Sequence, residues 1–250
     1  MSTPSRWTRA QEYEESFWRS VAEEVAQNSL DRIDFYGWRA TELQKRLAAA
    51  GRGTLLDGNH RIMEIGSGPV GIVGHLPGRD LIAVDPLNRF YSSDPHLRRF
   101  RSKDVRYIDA PGEALPVDDE SYDLIIMENC IDHTKDPSLV LSEIHRALSP
   151  NGILYITVNG RARLGYFVHR LLARLQLDPG HPHTYTEERF RRSLEESGFL
   201  LLSFDSDSWK EAWLADLKAK TIRDRLKGVL LVSEHLLTAI ATKPSGHEVE

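Results

Sequence analysis

Short apolar runs recur along the chain, separated by segments of amphipathic character. They lie at residues 61–65, 81–84, 105–108, 122–127 and 153–158. Runs of this length are typical of buried strands, and strands linked by helical segments form a parallel sheet. Two later runs, at residues 200–204 and 235–241, predict further strands. The pattern therefore predicts an α/β fold.

Helical patterns precede and interrupt these runs. Residues 8–50 have helical period and predict two or three helices. Asp136 and Thr186 stand where helix N-caps are expected, and Gly198 can end the second of those helices. We expect one unit, with a helical cap over residues 1–58 and a domain over residues 59–250. Inserted helices are predicted at about 161–177 and 209–229.

Composition limits the classes of partner. The 250 residues carry a formal net charge of -5, which provides no general attraction for nucleic acid. A single cysteine excludes an internal disulfide and a thiolate zinc cluster. The sequence shows neither a signal peptide nor a membrane-spanning run. We expect a soluble cytoplasmic protein without a nucleic-acid partner, and the sequence leaves its oligomeric state open.

A glycine-rich turn follows the first apolar run. Gly66, Gly68 and Gly71 let the chain turn sharply, so that backbone N–H groups approach a ligand at the start of the next helix. Asp85 ends the second run, where its carboxylate can accept hydrogen bonds from ribose hydroxyls. Both a dinucleotide and S-adenosylmethionine satisfy this pair of features.

The sequence around the turn resembles that of the class I S-adenosylmethionine-dependent methyltransferases, in particular the small-molecule enzymes with an acid-x-Gly-x-Gly motif. The resemblance covers roughly residues 61–158, in segments 64–68, 84–86, 112–117, 122–126 and 143–152. It implies a Rossmann-like doubly wound sheet, mostly parallel with an antiparallel final strand. It also implies methyl transfer from S-adenosylmethionine to a small organic acceptor by in-line displacement.

The resemblance carries over a set of cofactor-binding residues. They are Glu64, Gly66, Ser67, Gly68, Asp85, Pro86, Leu87, Gly112, Glu113 and Asn129. By this resemblance, Glu64 holds the amino group of the methionine portion and Asp85 holds the ribose. The segment from Gly66 to Gly68 passes under the centre of the cofactor, and Asn129 faces the sulfonium.

The adenine end departs from the family pattern. By the resemblance, Pro86 and Leu87 lie against one face of the ring, while Gly112 and Glu113 lie at its edge. Many relatives carry Asp-Ala-Glu where this chain has Pro-Gly-Glu at residues 111–113. The usual aspartate is absent, and the sequence leaves open whether Asp109 replaces it.

Three histidines are candidates for the chemistry. His133 follows the fourth strand, beside the expected methyl group, and an imidazole can accept a proton near neutral pH. The alternative is that His133 packs under its loop and serves structure. His181 and His183 could contact the acceptor, but a His-x-His pair without further ligands does not predict a metal, and we expect none.

Two further features leave alternatives open. The apolar face of residues 161–175, with arginines at its margins, could suit an anionic substrate or a membrane surface, although covering the core is the commoner role. Aromatic residues in the N-terminal helices could pack internally or line a lid over the acceptor. Two rival functions also remain: an NAD(P)-dependent oxidoreductase and a methyltransferase-like binding protein without turnover.

Overall fold

The computed structural model describes residues 6–27, 31–174 and 182–245. Within these ranges the helices are α1 (Arg6–Ala26), α2 (Asp31–Ala49), α3 (Asn88–Ser93), α4 (Pro95–Arg98), α5 (Pro137–Ala147), α6 (Arg163–Arg174), α7 (Glu187–Glu196), α8 (Trp209–Leu217) and α9 (Ile222–Val229). Helices α1 and α2 lie within the N-terminal stretch predicted to be helical, and α6, α8 and α9 lie within the stretches where inserted helices were expected. None of the described helices combines the length and apolar character that a bilayer span requires.

The strands form one seven-stranded sheet. They are β1 (Arg61–Ile65), β2 (Asp80–Asp85), β3 (Val105–Asp109), β4 (Tyr122–Glu128), β5 (Leu148–Arg161), β6 (Leu200–Ser206) and β7 (Glu234–Thr242). Their order is β3-β2-β1-β4-β5-β7-β6, with β1 to β5 parallel and β7 antiparallel to both of its neighbours. The predicted Rossmann-like fold is confirmed, including its antiparallel final strand.

Helix termini follow the predicted capping residues. The Asp136 carboxylate accepts hydrogen bonds from the first backbone N–H groups of α5, and the Thr186 hydroxyl accepts one from Arg189 in α7. Gly198 lies beyond α7 with a φ of 85°. Helix α5 passes directly into β5 at Leu148, so this strand begins five residues before the apolar run at 153–158. Asn151 accommodates this path with a φ of 60°.

The helix expected after β1 is missing. Only a four-residue 3-10 turn, Ile72–His75, lies between β1 and β2. The connecting stretch contains five glycines and two prolines at residues 66–78, and both residue types disfavour a helix interior. Helix α2 covers this part of the sheet instead. Its residues Leu43 and Leu47 are fully buried in a cluster with Ile62 and Val73. The N-terminal helices are therefore part of the core.

The sheet has an apolar cluster on each face. Successive strand residues point to opposite faces, so Ile62 joins the cluster under α1 and α2, while Met63 joins the cluster under α5 and α7. All of these side chains are almost completely buried. Two packed faces hold the ends of the parallel strands at fixed positions.

Candidate functional site

A cavity of about 740 Å³ opens at the carboxyl ends of β1, β2 and β4. In doubly wound sheets, ligands bind at this edge, where the strand order changes direction. The switch occurs here between β1 and β4, since the chain proceeds outward from β1 in both directions. Helices α1 and α2 supply the remaining wall through Trp7, Glu14, Phe17, Tyr36 and Arg39, among others.

The glycine turn lies directly against this cavity. Gly66 has a φ of 70°, and a Cβ atom there would approach the Cys130 sulfur to 2.3 Å. Gly68 has a φ of 58°, and its Cβ would lie 2.5 Å from the Tyr36 hydroxyl oxygen. Between them, Ser67 is buried and its hydroxyl donates to the Gly68 carbonyl. Side chains at the two glycine positions would be excluded by both conformation and space.

Asp85 joins the glycine turn to the segment after β2. Its carboxylate accepts hydrogen bonds from the backbone N–H of Gly68 at 2.9 Å and of Leu87 at 2.8 Å. Burial raises the pKa of Asp85 to about 6, although these two donors act in the opposite direction. The carboxylate also lines the cavity. It thus shapes the turn and presents an acceptor for ligand hydroxyl groups.

Glu64 lies at the end of β1, beneath the turn. Its Oε2 atom accepts a hydrogen bond from the backbone N–H of Val73 at 2.9 Å. Burial raises the pKa of this carboxyl to about 8, and the neighbouring carboxylates of Glu128 and Asp85 raise it further. The side chain lines the cavity. A cationic group bound here would favour its ionised form.

The predicted adenine end is partly assembled. Pro86, Leu87, Gly112 and Glu113 all line the cavity. The Glu113 Oε1 atom accepts backbone hydrogen bonds at 2.7 and 3.1 Å from the loop after β4, so this carboxylate also positions that loop. Asp109 is absent from the lining and instead pairs with Arg89 at 3.3 Å. It therefore does not stand in for the missing aspartate in this arrangement.

Asn129 and Cys130 follow β4 at the centre of the site. Asn129 has a φ of 49°, and its Oδ1 atom accepts a hydrogen bond from the backbone N–H of Asn159 at 3.0 Å. Both residues line the cavity. Burial raises the pKa of the Cys130 thiol well above its usual range, and the sulfur contacts the Ile65 carbonyl at 3.2 Å. Cys130 is therefore a packing residue.

His133 reaches the cavity from a short 3-10 turn, Ile131–His133. Its Nδ1 atom lies 3.9 Å from Glu14 Oε2, and its Nε2 atom lies 3.8 Å from Asp132 Oδ1. The ring is therefore placed between two carboxylates, one on the N-terminal helix and one on its own loop. Asp132 adjoins His133 in the sequence, whereas Glu14 is far from it in the sequence and is brought close only by the fold.

The histidine loop is organised differently. The backbone N–H of His183 donates a hydrogen bond to the Asp132 carbonyl at 3.1 Å, and its Nε2 atom lies 3.0 Å from the Thr134 carbonyl. It lines a neighbouring cavity of about 890 Å³ and not the one beside Asp85. His181 lies outside the described residues. Within the described ranges, no cluster of side chains suits a metal ion.

The largest feature that the sequence did not predict is a buried ion pair. Arg39 on α2 donates two hydrogen bonds to Glu128 at the end of β4, at 2.6 and 2.7 Å. The two residues are 89 positions apart, so no local spacing signals the contact. Both side chains are about nine-tenths buried, and both line the cavity. The ion pair connects α2 to the carboxyl end of β4 at the site.

The aromatic residues of α1 and α2 divide into two groups. Trp7, Phe17, Trp18, Phe35 and Tyr36 line the cavity. Tyr13 and Trp38 are exposed and lie outside that lining. Phe17, Trp18 and Tyr36 also pack in the apolar cluster under α1 and α2, so internal packing and cavity lining apply to the same residues.

Comparison with known proteins connects this geometry to a family. A methyltransferase domain family matches residues 63–156, which span β1 to β5. Among curated proteins, no sequence matches the chain.

Solved structures share the fold at low sequence identity. A protein described as a methyltransferase from Bacillus halodurans is 19% identical, with a TM-score of 0.55, over 80% of this chain and 99% of its own. A protein described as a sarcosine dimethylglycine methyltransferase from Galdieria sulphuraria is 16% identical, with a TM-score of 0.56, over 82% and 85%.

A third structure contains ligands. Haemonchus contortus phosphoethanolamine N-methyltransferase 2, in complex with phosphomonomethylethanolamine and S-adenosylhomocysteine, is 18% identical, with a TM-score of 0.57. The match covers 75% of this chain and 49% of that protein. Residues 63–156 thus match a methyltransferase domain family, and the solved methyltransferase structures share the fold of this chain.

Proposed function

We propose that the cavity beside Asp85 binds S-adenosylmethionine and that the methyl group passes to a small organic acceptor held under α1 and α2. The observation that carries this proposal is the charge of the lining. Carboxylates line the cavity at Glu14, Glu64, Asp85, Glu113 and Glu128. The described lining contains one arginine, Arg39, which is already paired with Glu128. Such a site favours a ligand with a sulfonium and an ammonium group.

The same features disfavour a dinucleotide. A pyrophosphate is commonly bound at a helix N-terminus, where backbone N–H groups and the helix dipole attract negative charge. Here the glycine turn leads into a four-residue 3-10 turn instead. The Asp85 carboxylate lies beside the turn and would repel a pyrophosphate, and the buried Glu64 carboxyl group offers it no positive charge. The oxidoreductase alternative therefore lacks the electrostatics that its cofactor requires.

The acceptor would occupy the side formed by the N-terminal helices. Trp7, Phe17 and Phe35 present aromatic surface there, and aromatic walls with a few polar groups are typical of sites for small organic molecules. By the family resemblance, Glu64 would hold the ammonium of the cofactor, Asp85 the ribose, and Asn129 would face the sulfonium. In-line displacement from a sulfonium depends mainly on alignment and exclusion of water.

The test is incubation with methyl-labelled S-adenosylmethionine and a metabolite extract. A labelled small molecule that forms with wild type and not with Asp85→Ala would support the proposal and identify the acceptor. If the protein binds the cofactor but labels no small molecule across extracts from varied sources, the alternative of a binding protein without turnover is favoured.

We expect Asp85→Ala to weaken binding of S-adenosylhomocysteine by about 1.5 to 3 kcal/mol, since a charge-assisted hydrogen bond to ribose would be lost. Asp109→Ala is the matched control, because Asp109 pairs in register with Asp85 on the adjacent strand but lies outside the cavity. Isothermal calorimetry measures both affinities, and urea unfolding measures any accompanying loss of stability. Equal affinities in the two variants would remove Asp85 from the site.

We expect His133→Asn to slow single-turnover methyl transfer by about 100-fold or more if the acceptor must lose a proton, since general bases contribute effects of this size. Affinity for S-adenosylhomocysteine should change little. His183→Asn is the control, because His183 bonds to the same loop but faces the neighbouring cavity. A lower melting temperature with an unchanged rate of methyl transfer would assign His133 to structure.

A further inference from the structure

Helix α6 presents an apolar stripe to solvent. Leu164, Phe167 and Leu171 are 58%, 65% and 59% exposed. Their spacing of three and four residues places them on one face of the helix. Tyr166 and His169, from another face, are the residues that pack inward. The commoner role considered from the sequence, in which this apolar face covers the core, is therefore wrong for these three residues.

Helix α9 has a second stripe of the same kind. Ile222, Leu226 and Val229 are 72%, 51% and 67% exposed, and Leu230 after the helix is 41% exposed. Their spacing again corresponds to one helix face. Leu231 follows with a φ of 58°, a conformation in which glycine is the usual residue at a helix end. These apolar side chains are therefore exposed to solvent and do not pack in the interior.

The two helices approach each other at one end. Arg161 of β5 pairs in register with Glu234 of β7, so the start of α6 and the end of α9 leave the sheet from the same edge. A Cβ atom on Gly165 would lie 2.1 Å from the Leu231 carbonyl oxygen. Backbone therefore contacts backbone here, and Leu164 and Leu230 flank the contact. The two stripes together are called the α6–α9 surface below.

The charge of this surface opposes that of the whole chain. Residues 162–174 contain three arginines and no acidic residue, whereas the neighbouring Arg161 is buried and paired with Glu234. Residues 218–227 contain five lysines and arginines and one acidic residue, whereas the whole chain has a net charge of -5. Two of these cations have acidic neighbours: Arg163 contacts Glu188 at 2.9 Å, and Lys227 contacts Asp224 at 3.6 Å. On the adjoining α8, the acidic residues are Glu211 and Asp216.

We propose that the α6–α9 surface docks on the face of an anionic phospholipid bilayer. Amphipathic helices with apolar side chains and flanking arginines and lysines lie in the interface of such membranes, where apolar burial and attraction to lipid headgroups add together. A second copy of the chain is less suitable, because a twofold interface would bring one basic patch against another. The proposal does not depend on the methyl acceptor.

The experiment is flotation of the full chain with vesicles of phosphatidylcholine alone or mixed with phosphatidylglycerol. Wild type should float with the mixed vesicles, and high salt should reduce the bound fraction. The double variant Phe167→Ser/Leu226→Ser should lower partitioning at least about tenfold, since two exposed apolar side chains lose their burial in lipid. Leu139→Ser/Leu200→Ser is the matched control, because these leucines are also exposed but lie on α5 and β6.

Three results would overturn the proposal. Wild type could fail to float with the mixed vesicles, or the stripe variant and the control could float equally well. Light scattering could instead show a dimer that Phe167→Ser/Leu226→Ser dissociates, which would assign the surface to a second copy. Binding of S-adenosylhomocysteine, measured in parallel, verifies that each variant is folded. It also distinguishes failure of the proposed membrane docking from failure of the proposed cofactor binding.

Discussion

Glu64→Gln is expected to stabilise the ligand-free protein at pH 8 by roughly 2 to 4 kcal/mol while weakening its affinity for S-adenosylmethionine. Burial raises the pKa of Glu64 from 4.5 to about 8. Between these values the folded state therefore binds more protons than the unfolded state does. The free energy of unfolding of wild type consequently falls as the pH rises through this window. Glutamine removes the buried charge and can still accept from Val73.

Urea unfolding at pH 5 and pH 8 measures the effect. Wild type should lose stability between these two values, and Glu64→Gln should lose less. Glu143→Gln is the control of opposite sign, because a hydrogen bond to Arg146 lowers the pKa of Glu143. That control should reduce the free energy of unfolding at neutral pH. If Glu64→Gln is no more stable than wild type at pH 8, Glu64 does not carry the buried charge.

Arg39→Met is expected to destabilise the protein by about 3 to 5 kcal/mol, because it leaves the Glu128 carboxylate buried without its cation. Burial already raises the pKa of Glu128, and the Arg39 guanidinium opposes that rise. The double variant Arg39→Met/Glu128→Leu should recover most of the loss, since an apolar pair of similar volume avoids the uncompensated charge. Denaturant unfolding of the two variants separates these contributions.

Arg46→Met supplies the control for this prediction. Arg46 also lies on α2 and pairs with a distant carboxylate, Asp205, at 3.0 Å, but that carboxylate is well exposed. Exposed ion pairs contribute about 1 kcal/mol or less. Similar losses for Arg39→Met and Arg46→Met would show that the Arg39–Glu128 pair does not fasten α2 to the site.

The elements of the sheet were predictable because their signals are local. Apolar runs ended by Asp85 or by the Gly66 turn mark the strands and their carboxyl ends, and Asp136 marks the start of α5. The missing helix after β1 was predictable in principle from the glycines and prolines of residues 66–78. Its replacement by α2 was not, because packing between distant segments decides which helix covers that face.

The site itself was only partly predictable. Residues next to strand ends, such as Glu64, Asp85 and Asn129, line the cavity as expected. Glu14 and Arg39 were not predicted to line the site, because they lie on helices far from the motifs in sequence. A charged residue on such a helix usually indicates a face exposed to solvent. Tertiary packing also directed His183 to a neighbouring cavity. Sequence spacing cannot distinguish these outcomes.

We propose that the acid-lined cavity binds S-adenosylmethionine and not a dinucleotide. Calorimetry of wild type against S-adenosylhomocysteine, NAD and NADP tests this most directly. We expect saturable binding of S-adenosylhomocysteine, weakened by Asp85→Ala, and stabilisation of about 2.7 kcal/mol at a hundredfold excess over the dissociation constant. Saturable binding of NAD or NADP together with no response to S-adenosylhomocysteine would contradict it.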